Sequence, residues 1–120
     1  KLRATKENKY NEALDKANLF LDTEATFELI ENFHVEATKE NLNTFNSAAI
    51  AIERGFIPYQ EWTSKEDNVL QLDMEQCITI SVGIGQIQTD VWTRQFIDYK
   101  NRINEASTIE EVNNIRINYT

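Results

Sequence analysis

Residues 73–106 constrain the fold of this chain more than any other stretch. Within "DMEQCITISVGIGQIQTD" two structural templates compete. Ile78, Ile80 and Val82 alternate as a strand would, and Gly83 and Gly85 follow as in the turn of a phosphate-binding loop. Against this, Asp73 and Gln76 have the spacing of an N-terminal capping box, with Leu72 and Cys77 placed as its hydrophobic staple. Ile80, Ile84, Ile87 and Val91 then step by four, three and four, and a second line, Trp92, Phe96, Tyr99 and Ile103, continues toward Ala106. Each glycine costs a helix about 1 kcal/mol relative to alanine. The cap and the sustained spacing nevertheless predict one helix over residues 74–105, roughly 48 Å long at 1.5 Å per residue. On that helix Ser81, Gly83 and Gly85 lack bulk, so another element can approach closely.

The rest of the chain reads around this helix. Over residues 3–21, Tyr10, Leu14, Ala17 and Leu21 form one face of an amphipathic helix. In "ATFELIENFHVEAT", Phe27 and Leu29, then Phe33 and Val35, occupy alternate positions around Glu31-Asn32, which predicts a β-hairpin. Thr38 caps a helix carrying Leu42, Phe45, Ala49 and Ile52 on one stripe. Gly55 stands where a left-handed C-terminal cap is needed, and Pro58 prevents continuation. "YQEWTSKEDNVLQLD" predicts a second hairpin, turning at Lys65–Asn68. Ser107 with Glu110 forms another capping box, for a short helix whose Ile109, Val112 and Ile115 fold back on the long one.

Chemistry is sparsely announced. A dinucleotide fingerprint needs a third glycine where Gln88 stands, and no Gly-Lys-Ser/Thr end of a phosphate loop is present. His34, the only histidine, falls on the polar side of the first hairpin and reads as a surface residue. Glu24, Glu28, Glu31 and Glu36 lie near one another. Paired carboxylates can support glycoside hydrolysis, but no spacing singles out an acid and a nucleophile, and a solvated strand face accounts for them. Glu66, Asp67 and Asn68 lack the alternating ligands and central glycine of a calcium loop. The sequence therefore predicts no catalytic residues, no cofactor and no metal.

Charge narrows the partners. The formal net charge is −8, and residues 21–76 hold twelve acidic and three basic groups, a net of −9. Such an acidic middle repels phosphate backbones, which argues against nucleic acid. The longest apolar stretch, around Ile78–Ile87, is interrupted by Thr79, Ser81 and Gln86 and is too short to span a bilayer. The single cysteine excludes an intrachain disulfide and suits a reducing cytoplasm.

Three segments carry a family resemblance: "FELIENFHVEATKENLNTFNSAAIAIERG", "EWTSKEDNVLQLDMEQCITI" and "QFIDYKNRINEASTIEEVNNI". Together they resemble a domain of unknown function from tailed-phage and prophage proteins, found in tail-fibre and tail-fibre-assembly contexts. The long helix ending in Asn-Glu-Ala-Ser-Thr-Ile-Glu-Glu-Val is its most characteristic part, and the likeness covers most of residues 5–116. Gly83 and Gly85 depart from the alanine-rich helix usual in such domains.

The expectation is thus one α+β domain over residues 1–120, read as a stretch of a longer phage tail protein. Its order is helix, β-hairpin, helix, β-hairpin, long helix and short C-terminal helix, with a small antiparallel sheet packed on the helices. The expected core is Leu14, Phe27, Leu29, Val35, Phe45, Ile52, Trp62, Leu70, Leu72, Ile84, Ile87 and Val91. Trp92, Phe96, Tyr99 and Ile103 are the candidate protein contact, provided they are exposed. The resemblance implies a non-enzymatic structural or interaction module, made in the host cytoplasm and placed in the virion tail. It also implies other tail proteins as partners and, by analogy, a homotrimer. The rivals are a tail-fibre assembly chaperone and, from another class, a host-surface glycan hydrolase.

Overall fold

A computed structural model describes residues 1–120. Helix α1 (Leu2–Leu19) runs into a π-helical turn (Phe20–Glu24). Strands β1 (Thr26–Ile30) and β2 (Phe33–Glu36) precede α2 (Lys39–Glu53), and β3 (Gln60–Thr63) and β4 (Val69–Leu72) precede α3 (Met74–Asp90). A second π turn (Val91–Gln95), α4 (Phe96–Glu105) and α5 (Ile109–Asn113) follow. The chain is α+β, with its elements in the order read from the sequence. The two hairpins remain separate two-stranded antiparallel sheets. Contacts gather the chain into two compact units, residues 22–88 and residues 1–21 with 89–120. No helix is long and apolar enough to cross a membrane.

In the unit of residues 22–88, the start of α3 follows the capping chemistry closely. The Gln76 N–H donates to Asp73 Oδ1 at 2.8 Å, and the Asp73 N–H donates to Gln76 Oε1 at 3.0 Å. The staple residues Leu72 and Cys77 are both fully buried. Burial also pushes the Cys77 thiol pKa up, which keeps it protonated. A strand would set Ile78, Ile80 and Val82 on one face. Instead Ile80 is 0% exposed while Ile78 and Val82 are 43% and 53% exposed, which only a helix produces.

Gly83 is the reason a helix former was excluded here. A Cβ at this position would overlap the edge of the Phe27 ring, with Cζ 2.7 Å away and Cδ1 and Cε1 nearer still. Gly85 is freer, with Leu42 Cδ1 at 3.6 Å from the corresponding point. Gln88, standing where a nucleotide fold needs glycine, uses its side-chain amide to donate to the Ala37 carbonyl at 2.8 Å.

The first hairpin pairs Phe27 with Val35 and Glu28 with His34, with a bulge between Glu28 and Ile30, and turns through Asn32 at φ 62°. Asparagine tolerates this left-handed conformation. Helix α2 begins with the Asn41 N–H donating to Thr38 Oγ1 at 3.1 Å. It ends in a Schellman motif: Gly55 adopts φ 75°, and the Phe56 N–H reaches Ala51 O at 2.9 Å. Its Phe45 packs on Trp62 of β3, ring centroids 4.6 Å apart.

In the other unit, Tyr10 of α1 meets Phe96 edge-on at 5.5 Å. The helical path from residue 74 to 105 is unbroken but not uniformly α. The Phe96 N–H donates to Val91 O, five residues back, which inserts an extra residue at the second π turn. The inward spacing widens there from three or four residues to five, joining the line ending at Val91 to the line through Phe96. The second capping box sits one residue later than expected. Thr108, not Ser107, accepts the Glu111 N–H at 3.1 Å, and the Glu111 carboxylate accepts the Ser107 N–H. Thr108-x-x-Glu111 satisfies the same pattern, and the shift leaves Ile109 39% exposed while Val112 and Ile115 are buried.

Of the expected core, Val35, Phe45, Leu72, Ile84 and Val91 are buried. Leu14, Phe27, Leu29, Ile52, Trp62, Leu70 and Ile87 are half-buried. Two-stranded sheets are too narrow to cover their inner faces fully. Small residues are buried completely in each unit, with Ala13 and Ala17 of α1 and Ala37 after β2 at 0% exposure.

The glycines yield an opposed pair of outcomes. Gly83→Ala is expected to destabilise by about 1–3 kcal/mol, because overpacking against Phe27 exceeds the gain in helix propensity. Gly85→Ala has room for its methyl and is expected to stabilise by up to about 1 kcal/mol. Urea denaturation of both variants reads the difference.

Candidate interaction surface

The apolar stripe that the sequence offered as a contact is largely covered by its own chain. Phe96, Tyr99 and Ile103 are buried, and Trp92 is half-buried with its ring 5.5 Å from that of Phe96. Tyr99 lies against Tyr119 at 5.3 Å, with the Arg102 guanidinium 5.5 Å from its ring centroid. The condition of exposure is therefore not met by Phe96, Tyr99 or Ile103. Helical spacing identifies an apolar face but does not say what covers it.

Other apolar side chains are exposed, three of them in the last turn of α2 and the connection after it. Phe56 is 77% exposed, Ile50 54% and Tyr59 38%. Their sequence neighbours Ala51, Ile57 and Gln60, with Asn43, Ser47 and Ala48, line an open groove of about 550 Å³ along α2. Local structure accounts for this. The Schellman motif places Phe56 opposite Ala51, which is too small to cover a phenyl ring, and Pro58 turns the chain away. The sequence carries a signal for this: Gly-Phe-Ile-Pro-Tyr is a connection with almost no polar side chain, where loops are ordinarily polar.

His34 acquires partners that the sequence did not announce. Its N–H donates to Glu66 Oε1 at 2.9 Å, its Nδ1 pairs with Glu66 Oε2, and its Nε2 lies 3.7 Å from Glu28 Oε2. The Lys65 N–H donates to His34 O at 3.0 Å, and Asn68 Nδ2 donates to Asn32 O at 2.8 Å. Both main-chain groups of His34 on the outer edge of β2 are thus taken by the β3–β4 turn. That turn is held in shape by buried Ser64, whose Oγ accepts the N–H groups of Glu66 and Asn68. The arrangement is a clasp between hairpins. Ser64 is occupied as a turn acceptor, and no group of three or more His, Cys, Asp or Glu converges to hold a metal ion.

Compared with known protein families, curated proteins and solved structures, the chain matches none.

Acid should release the clasp. Hydrogen bonding from the His34 N–H, then from its side chain, holds the Glu66 carboxyl down from 4.5 to about 2. A depressed carboxyl contributes stability that is complete above the unfolded value and disappears as pH falls through the folded one. The wild-type urea midpoint should therefore fall between pH 4.5 and about 2 more steeply than that of Glu66→Gln. Parallel curves for the two proteins would remove Glu66 as the cause.

Proposed function

We propose that this chain is a non-enzymatic protein-interaction module of a phage tail or tail fibre, and that it engages other tail proteins through the apolar end of α2. The observation that supports contact there is Phe56, 77% exposed, with Ile50 and Tyr59 also exposed and the adjoining Ala51, Ile57 and Gln60 lining an open groove. Aromatic side chains displayed this way supply binding energy once a partner desolvates them. The tail context comes from the resemblance of residues 5–116 to tail-fibre-associated domains. The homotrimer comes from the same analogy.

Electrostatics selects the partner. Residues 22–88 hold twelve acidic and three basic side chains, and Glu40, Glu53 and Glu61 belong to or flank the α2 surface. A basic rim around an apolar centre on the partner would be steered toward this face, and an acidic one would be repelled.

Purified virions carrying the chain test the reading. Mass spectrometry should find it in finished particles, and a cross-linker joining carboxylates to lysines should connect Glu53 or Glu61 to another tail protein. Phe56→Ala with Tyr59→Ala should weaken that contact by about 2 kcal/mol or more, roughly thirtyfold, with little change in thermal unfolding. A chain needed for assembly but missing from finished particles would instead be a chaperone.

A further inference from the structure

Residues 115–120 alternate strictly: Ile115, Ile117 and Tyr119 are buried, while Arg116, Asn118 and Thr120 are exposed. This is the period of a strand, yet the segment joins neither sheet. Side chains of α1, the second π turn and α4 meet its main chain instead. Tyr99 Oη donates to Asn118 O at 2.8 Å and accepts the Asn118 N–H at 2.9 Å. The amide of buried Gln95 does the same for Thr120, donating to its carbonyl at 2.8 Å and accepting its N–H at 3.1 Å. Lys9 Nζ donates to Ile115 O at 3.2 Å, and Lys16 Nζ to Ile117 O at 3.4 Å. Tyr119 Oη, in turn, donates to Ala13 O at 2.8 Å.

We infer that the surface formed by α1 and α4 is a receptor for an extended peptide, filled here by the chain's own residues 115–120, and that it accepts the same segment from a second copy. Reading a backbone through donor and acceptor pairs while alternate side chains enter apolar space is how extended peptides are recognised at sheet edges. Here Gln95 and Tyr99 take the place of the edge strand. A second copy carries the identical apolar-x-apolar-x-aromatic sequence, so the exchanged arrangement repeats every contact made within one chain. The segment is tethered close by, through α5, and competes at an effective concentration of about a millimolar, so exchange requires release or crowding of copies. This inference does not rest on the function proposed above, which concerns a different surface.

Full-length Ile117→Asp, which expels the segment from its apolar site, provides the first test. A fluorescent peptide of residues 114–120 should bind it saturably, and at least about tenfold more tightly than wild type, whose own segment blocks the surface. Tyr99→Phe added to Ile117→Asp should weaken that binding. No saturable binding to an Ile117→Asp chain that keeps its helical circular dichroism would overturn the inference, as would equal binding of a scrambled peptide. A second test keeps the segment's sequence up to its last residue. Thr93 and Thr120 line one groove of about 630 Å³. Full-length Thr93→Cys and Thr120→Cys chains, mixed at high concentration and oxidised, should form the mixed disulfide in excess of its random share. A random share would mean that the segment stays with its own chain.

Discussion

The Phe27 ring occupies the space where residue 83 would carry its first side-chain carbon, and the unit of residues 22–88 is arranged around that contact. The first hairpin can lie this close to α3 only because Gly83 presents bare backbone. The helix accepts the glycine because its N-terminus is strongly fixed, by reciprocal capping at Asp73 and Gln76 and by buried Leu72 and Cys77. Local propensity and tertiary packing pull in opposite directions here, and packing prevails. Ile-Thr-Ile-Ser-Val is a good strand sequence, but as a strand it would bring Ile78 and Val82 to the side of Ile80 and lose the close approach of Phe27.

A second constraint recurs in both units: backbone groups that a wider sheet would pair are met mostly by side chains, and at the His34 carbonyl by a turn N–H. Glu66 and the Lys65 N–H occupy the outer edge of β2 at His34. Gln95 and Tyr99 occupy the donors and acceptors of residues 118 and 120. A chain with only two short hairpins has few ladder positions to offer, and unpaired buried amides are costly. Side-chain amides, hydroxyls and carboxylates placed at the right positions replace a third strand.

Much of the fold was legible because short-range rules set it. Thr38, Gly55, Asp73-x-x-Gln76 and the Glu31-Asn32 turn each act within a few residues, and each behaves as its local chemistry dictates. The π turn at Val91–Gln95 leaves only a faint trace in the sequence, two apolar lines offset by one position, which a single regular helix also allows. The displaced cap at Thr108 reflects a real degeneracy, since Ser107 and Thr108 each have a glutamate three residues on. The His34 clasp was illegible, because Glu66 lies 32 residues away and no period links them.

The apolar stripe of α4 is the case where helical spacing alone says least, because three of its four residues are buried by their own chain. Helical spacing puts Phe96, Tyr99 and Ile103 on one face of α4, and all three are buried. Tyr10 of α1 lies against Phe96, and Tyr119 of the final segment lies against Tyr99. The spacing of two in Ile115, Ile117 and Tyr119 has no meaning for the helix preceding them, and no strand is there to pair with it. An unpaired strand period at the end of a helical segment is a signal in its own right. It requires a surface with apolar space at every second position and polar atoms between, and α1 and α4 supply both.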